Sequence, residues 1–358
     1  RRFGMLALKL TVCAALLFWV FHTIFLQEGR EAAQQNGVTW DDLAWSEQFL
    51  TAWSEGPKAI WKTLSIVNPL AYAISLVFMG LTLLIGTLRW RIALKAQGLD
   101  LPFSRAAEIS LIAHFFNSFL LGSTGGDLLK AYYAARETHH KKTEAVTTVF
   151  VDRLIGLFSM LLFAALLMIP NWSLIVNQDL IAALSVTIVG MLTACGLLVY
   201  LAFWGRNSGD ESLLMKWLRK LPKGDYLERS LRSCRSYGKQ KGFLTKALVL
   251  SMALNLACVL QFAAVAKGLG LELSFTSLMF IVPAIICISA LPITPSGLGV
   301  REKLFVATLT VAAINIDAKL ALSLSLLAYS GSLAWSVLGG IVYVNLKESR
   351  HLDEVTEA

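Results

Sequence analysis

Apolar residues in this chain gather into continuous runs rather than into stripes along amphipathic helices. Runs of roughly 20 residues span about 30 Å of hydrocarbon, and such runs predict membrane-crossing helices over Met5–Leu26, Pro69–Leu88, Ala145–Ile169, Leu180–Trp204, Ala247–Ala266 and Lys319–Val344. Two other apolar stretches break before they could cross. The first runs from Phe115 to Lys130 and breaks at Gly122-Ser-Thr-Gly-Gly126; the second runs from Ile288 to Arg301 and breaks at Pro292-Ile-Thr-Pro-Ser-Gly297. Laid over each other, Leu120 meets Leu291, Ser123 meets Thr294, Gly126 meets Gly297 and Lys130 meets Arg301. Paired interruptions of this kind, in corresponding halves of a chain, point to the binding site of a transporter.

Polar segments between the runs set the expected topology. Arg1, Arg2 and Lys9 flank the first span, and Arg89, Arg91, Lys95 and Arg105 follow the second. Cytoplasmic loops carry the excess of Lys and Arg, so both termini are expected in the cytoplasm. The first hairpin, 103–136, has basic residues on both sides and is expected to enter and leave from the cytoplasmic face. Parity then sends the second hairpin, 275–315, in from the outside. The expectation is an all-α polytopic membrane protein with about six transmembrane helices plus two re-entrant broken-helix hairpins, arranged as an inverted repeat. Its divisions are a first span at 1–26, an outer interfacial segment at 27–67 punctuated by Trp40, Trp45, Trp53 and Trp61, a first half at 69–204, a second half at 247–346 and a tail at 347–358. Between the halves, 205–246 is the most basic stretch. Arg206–Lys246 holds eleven Lys or Arg against four Asp or Glu, and Leu213, Leu214, Trp217, Leu218 and Leu221 share one helical face. That pattern predicts an amphipathic helix on the anionic cytoplasmic leaflet. The apolar run at Met5–Leu26 has no small-residue cleavage site after it, so an anchor is expected and not a removed signal; because the chain opens on Arg1, a short leader is expected before it.

Composition agrees. The 358 residues are 56% hydrophobic and 16% charged, with a mean hydropathy of +0.62, which excludes an ordinary soluble domain. A net charge of +8 invites a nucleic-acid reading, but the basic residues cluster beside apolar spans, where they set topology and meet lipid headgroups, so no nucleic-acid partner is expected. The five cysteines show neither pairing nor metal-ligand spacing.

The two breaks carry the candidate chemistry. A helix restarting inside the membrane presents unpaired N–H groups and a partial positive charge, which attract anions. Ser123 or Thr124, and Thr294 and Ser296, stand near the expected N-caps. Gly125, Gly126, Gly297 and Gly299 allow close approach of a ligand to the backbone, and Lys130 and Arg301 add a full charge about a turn later. For a single break, a tight turn made by Gly and Pro is sufficient explanation; two matched breaks with a cation at one offset favour a site for a phosphate-bearing headgroup. Charges at mid-bilayer are costly, by roughly 2.5–3.5 kcal/mol on insertion scales, and usually face a cavity with partners. Asp127 and Asp152 are therefore expected to hold Lys130 or Arg301 and to read any cationic substituent on the headgroup. Arg153 is read either as a cavity group or as a side chain reaching to cytoplasmic headgroups. Glu302 and Lys303 are expected near the outer interface. Asn117, Ser118, Asn255 and Gln261 are read as helix–helix contacts before ligand contacts, and His114 as a buried, hydrogen-bonded imidazole.

Asn117-Ser-Phe-Leu-Leu-Gly-Ser-Thr-Gly-Gly-Asp-Leu-Leu-Lys-Ala-Tyr-Tyr133, Ala145-Val-Thr-Thr-Val-Phe-Val-Asp-Arg-Leu-Ile-Gly156 and Leu291-Pro-Ile-Thr-Pro-Ser-Gly-Leu-Gly-Val-Arg-Glu302 together resemble the signature blocks of the lysylphosphatidylglycerol synthase transmembrane-region family, the flippase-like integral membrane proteins. The likeness extends from about Pro69 to Leu346. It implies a lipid-translocating membrane region and places Asp127, Lys130, Asp152, Arg153, Arg301 and Glu302 in the family's blocks. Bifunctional members carry a fused aminoacyltransferase; no soluble stretch here is long enough for one, so synthase activity is not implied. The sequence also lacks a P-loop, a His-Glu-x-x-His and a Gly-x-Ser-x-Gly motif. The expected activity is translocation of an anionic or zwitterionic phospholipid, or a lipid-linked headgroup, across the bacterial inner membrane. No catalysis, metal or cofactor is expected. Two alternatives remain open at this point: a membrane subunit that docks a separate lipid-headgroup enzyme or glycosyltransferase through 205–246, and an enzyme acting within the membrane on a lipid-linked substrate.

Overall fold

The structure is a computed structural model that describes residues 22–356 apart from 23–24, 27, 31, 35, 120–124, 138–141, 205–232, 239, 241, 292–296 and 298. The expected first span, most of the basic amphipathic segment, and the residues Ser123, Thr124, Thr294 and Ser296 lie outside the described residues. What is described is helical, without a strand. In chain order the helices are α1 (Trp45–Ile66), α2 (Pro69–Ala96), α3 (Phe103–Phe119), α4 (Gly125–Glu137), α5 (Lys142–Leu166), α6 (Trp172–Asn177), α7 (Asp179–Trp204), α8 (Phe243–Gly268), α9 (Phe275–Ser289), α10 (Val300–Leu309) and α11 (Ala318–Thr356).

Five of these are long and apolar enough to cross a membrane: α2, α5, α7, α8 and, within α11, Leu320–Asn345. They leave large apolar side chains uncovered, such as Val77 (69% exposed), Val186 (73%) and Leu198 (58%). In water such a surface would be a liability; against acyl chains it is the natural one. The protein is an all-α polytopic membrane protein. α5 begins at Lys142, three residues before the expected start, because Thr143 and Glu144 extend the helix beyond its apolar run.

The elements fall into two sets of the same order. α2, α3, α4 and α5 are a span, the two arms of a broken hairpin and a span; α8, α9, α10 and α11 repeat this, while α6 and α7 have no counterpart. The hinge between span and hairpin is built identically in both. After α2 the chain reads Lys95-Ala-Gln-Gly-Leu-Asp-Leu-Pro-Phe103; after α8 it reads Lys267-Gly-Leu-Gly-Leu-Glu-Leu-Ser-Phe275. Gly98 and Gly270 take left-handed φ values of 68° and 72°. Gly98 N–H donates to Lys95 O (2.9 Å) and Leu99 N–H to Leu94 O (3.0 Å); Gly270 N–H donates to Lys267 O (3.1 Å) and Leu271 N–H to Ala266 O (2.9 Å). Both are Schellman caps, which satisfy the last carbonyls of each span and turn the chain into the hairpin.

α2 and α8 are equivalent helices and form the most extensive helix pair. They run antiparallel: Asn68 N–H donates to Gly268 O (2.9 Å), Gly86 packs on Leu254, and Arg89 Nη1 donates to Ser251 Oγ (2.9 Å). Equivalent elements running in opposite directions make the repeat an inverted one, with the pseudo-twofold crossing the middle of this pair. The hairpins exchange partners across it. α3 packs on α11, where Gly339 lies against the Leu111 carbonyl and Ser332 against His114, and α9 packs on α5.

Candidate functional site

Both hairpins close by pressing a glycine of the break onto the first arm. A Cβ on Gly126 would stand 1.8 Å from Ala113 O, and Gly126 N–H donates to Asn117 Oδ1 (2.8 Å). In the second hairpin a Cβ on Gly297 (φ 70°) would stand 2.7 Å from Ser289 O. Asn117 and Ser289 are themselves equivalent, 172 positions apart, as are Gly98 and Gly270. The glycines therefore answer first to the closeness of two backbone segments. The helix starts are also partly occupied by the protein's own groups: Asn117 takes the Gly126 N–H, and the Glu302 carboxylate takes the Gly299 N–H (2.6 Å). The expectation that both N-termini lie bare for an anion is corrected to that extent.

Lys130 is buried in an ion cluster at the first hairpin. Arg89 Nε donates to Asp152 Oδ1 (2.8 Å), and Lys130 Nζ lies 3.5 Å from Asp152 Oδ2 and 4.3 Å from the centre of the Trp90 ring. Trp90 is fixed in turn by its Nε1–H bond to Thr148 Oγ1 (3.1 Å). Gly156 makes room for the guanidinium: a Cβ there would stand 2.9 Å from Arg89 Nη2. Asp127 does not join this cluster. It forms a two-pronged pair with the half-exposed Arg153 at 2.6 and 2.7 Å. The expectation that Asp127 and Asp152 share Lys130 and Arg301 is thus corrected. Asp152 holds Lys130 and Arg89, Asp127 holds Arg153, and neither holds Arg301.

Arg301 has its own acid. Its Nε donates to Glu302 Oε1 (3.0 Å) and to Ser325 Oγ (3.3 Å), its Nη2 donates to the same carboxylate, and its guanidinium carbon lies 4.2 Å from the centre of the Tyr329 ring. Glu302 is 3% exposed. The expectation of Glu302 near an interface is overturned: its carboxylate folds back over the first turn of α10 to cap Gly299, and α11 covers it. Lys303 alone of the two is exposed. Among the described residues no group accepts from Arg301 Nη1.

Arg301 lines a cavity of about 310 Å³. Half of its wall comes as equivalent pairs from the two halves: Thr82 and Leu254, His114 and Ile286, Asn117 and Ser289, Ser118 and Ala290. The cavity therefore straddles the pseudo-twofold. Its contents are not symmetric. Arg301 and Gln261 line it, whereas their equivalents Lys130 and Arg89 do not. The two cations of the breaks are not brought to one cavity. Gln261 Nε2–H donates to Ala328 O (2.9 Å), and Ser289 Oγ is occluded with no partner among the described residues. His114 Nε2 meets Ser332 O at 3.1 Å, the hydrogen-bonded imidazole expected. Asn255 Nδ2–H donates to Ser159 O (3.3 Å), a helix–helix contact.

Arg89, Gln261, Ser325 and Tyr329 were not among the sequence's candidates for the site. Arg89 reads from sequence as a charge flanking a span. A signal for it existed: the Lys95–Phe103 and Lys267–Phe275 blocks, aligned at 172, place Arg89 on Gln261, and two long polar side chains at one position in two apolar spans are costly enough to need a role.

A family model described as the lysylphosphatidylglycerol synthase TM region matches residues 43–339, which contain both hairpins and the whole cavity wall. The chain is also similar to three other membrane proteins. A UPF0104 membrane protein of Methanothermobacter thermautotrophicus is 22% identical over 279 residues, 73% of this chain and 81% of that one. One of Pyrococcus horikoshii is 25% identical over 293 residues, 75% and 85%. One of Methanocaldococcus jannaschii is 25% identical over 299 residues, 76% and 83%.

Proposed function

Since this chain belongs to the lysylphosphatidylglycerol synthase transmembrane-region family, we propose that it translocates the headgroup of an anionic or zwitterionic phospholipid, or of a lipid-linked substrate, between the leaflets of the bacterial inner membrane, acting as a transporter and not as an enzyme. The observation that carries this reading is the cavity at the pseudo-twofold, with a buried cation whose Nη1 has no acceptor among the described residues. Small-ligand pockets run from about 300 to 1,000 Å³, so 310 Å³ suits a headgroup while its acyl chains stay in lipid. Inverted repeats supply the movement. Two halves of one design can exchange conformations, so an arrangement in which the Lys130 side is closed and the Arg301 side faces the cavity implies a mate in which these roles are reversed. The headgroup would be released by the closing of one cluster and the opening of the other.

The test is leaflet exchange. Purified protein is placed in liposomes holding headgroup-labelled phospholipids, and the label protected from an external quencher is followed over time. Accelerated loss of protection in the native protein, abolished in Arg301→Ala, supports the reading. Loss no faster than in protein-free liposomes, across anionic and zwitterionic lipids with and without a pH gradient, overturns it.

A further inference from the structure

Among the described residues, the cavity is lined by one charged side chain, Arg301, and by no acid. The residues of the two breaks, Leu120–Gly126 and Leu291–Gly299, contain no Asp or Glu either. The nearest acids along the chain are Asp127 and Glu302, and both are committed. Asp127 is bound in two places by Arg153. Glu302 gives Oε1 to Arg301 and Ser325 and Oε2 to the Gly299 N–H. Asp152 is held between Arg89 and Lys130. A positively charged substituent entering this cavity would find a guanidinium and, among the described residues, no uncommitted counter-ion, and burying an unpaired charge is strongly unfavourable.

The uncharged polar groups have a distinct character. Gln261 uses its amide N–H on Ala328 O, and no donor reaches its carbonyl oxygen among the described residues. That oxygen is an acceptor presented to the cavity. Arg301 Nη1 offers donors, in the geometry that suits phosphate oxygens. The two together match a ligand that is anionic at one end and carries neutral hydroxyls at the other.

Building on the proposed function, we infer that the cavity selects a phosphate ester bearing uncharged hydroxyls, the chemistry of a glycerol- or sugar-phosphate headgroup, and rejects headgroups that carry an amine. Arg301 takes the phosphate; Gln261 takes a hydroxyl. The amine-bearing headgroups allowed by the sequence alone are excluded by the placing of Asp127, Asp152 and Glu302.

The test reads binding in detergent, where no bilayer has to be crossed. The full chain is titrated, by native mass spectrometry, with dihexanoyl lipids of identical tails: phosphatidylglycerol, phosphatidic acid, phosphatidylethanolamine and lysylphosphatidylglycerol. Free glycerol 3-phosphate is a fifth arm. The expected result is phosphatidylglycerol binding at least about ten-fold tighter than either amine-bearing lipid, a difference of ~1.4 kcal/mol or more. Arg301→Gln abolishes the difference, and Arg301→Lys, which keeps the charge, retains it and controls for folding. Gln261→Leu weakens phosphatidylglycerol several-fold and leaves phosphatidic acid unchanged. Glycerol 3-phosphate binding as tightly as phosphatidylglycerol assigns the site to a free phosphate ester, retains the selectivity and overturns the lipid source. Equal affinity for amine-bearing lipids, a preference that survives Arg301→Gln, or no binding by any probe overturns the inference. Equal affinities alongside active leaflet exchange sink the selectivity alone; selective binding without exchange sinks the translocation reading alone.

Discussion

Lys130 and Arg301 occupy equivalent places in the two hairpins, and each is 9% exposed, yet their surroundings differ in kind. Around Lys130 a carboxylate is shared with a second cation, Arg89, and a Trp ring covers the ammonium. Around Arg301 a single carboxylate serves a single cation, no group among the described residues accepts from Nη1, and the residue lines a cavity. One repeat has thus turned its charges inward and the other toward the cavity. An inverted repeat in one arrangement should look like this, since the two halves of an alternating transporter are equivalent only on average over its two states.

The sharpest way to break the comparison is to remove the acid from each side. Asp152→Asn leaves Arg89 and Lys130 buried side by side with no counter-charge, and removal of one partner from a buried pair typically costs about 3–5 kcal/mol. Glu302→Gln should cost less, about 2 kcal/mol, because Arg301 retains Ser325, Tyr329 and the cavity. Thermal unfolding in one detergent measures both. Equal losses would show that the Arg301 side is packed as tightly as the Lys130 side and would remove the distinction.

Next in size are two glycines of the breaks, Gly126 at the neck of the first hairpin and Gly299 at the start of α10. Gly126→Ala drives a methyl into the Ala113 carbonyl at 1.8 Å, where neither partner can rotate away, and a loss of about 3 kcal/mol is expected, at the upper end of overpacking costs. Gly299 (φ 81°) has nothing within 4 Å of a Cβ, so Gly299→Ala is limited to the left-handed backbone penalty of about 1–2 kcal/mol. If both cost the same, the neck contact at Gly126 is not the tight one.

The contrast between these glycines also shows how far the sequence could be read. Runs of apolar residues show the spans directly, because hydrocarbon thickness fixes their length. The breaks were equally plain, since Gly and Pro inside such runs have few other uses. Partner choice was hidden. Arg301 and Glu302 are neighbours on one helix and should point about 100° apart; they meet because Glu302 bends back to cap Gly299 and the long Arg side chain follows it. Asp152 and Arg153, also neighbours, do separate, because Arg89 and Lys130 hold one and Asp127 the other. The same dipeptide logic gives opposite results depending on whether the pair stands at a helix start or in mid-helix, and on side chains from helices far away in sequence.

A smaller effect comes from Lys130 itself. Lys130→Met keeps the apolar contact with Trp90 and leaves Asp152 bonded to Arg89, so the expected loss is about 1–2 kcal/mol. Because Lys130 does not line the cavity, short-chain phosphatidylglycerol should bind as to the native protein in the same detergent titration. Weakened binding would place Lys130 in the ligand's path in this arrangement and make the two hairpins alike.

The smallest expected effect tests the repeat where it is most exact. Gly98 and Gly270 close identical caps with φ values of 68° and 72° and nothing within 4 Å of a Cβ at Gly270. Substituting either by Ala forces an L residue into the left-handed region, at about 1–2 kcal/mol, and the double substitution should add, since the two caps close opposite ends of the antiparallel α2–α8 pair and distant sites are additive to within about 0.5 kcal/mol. Unfolding midpoints of the two single variants should agree with each other. A marked difference would mean that one hinge carries strain the other does not, and the hinge with the smaller loss would be the one whose hairpin is already displaced from its resting place against the span.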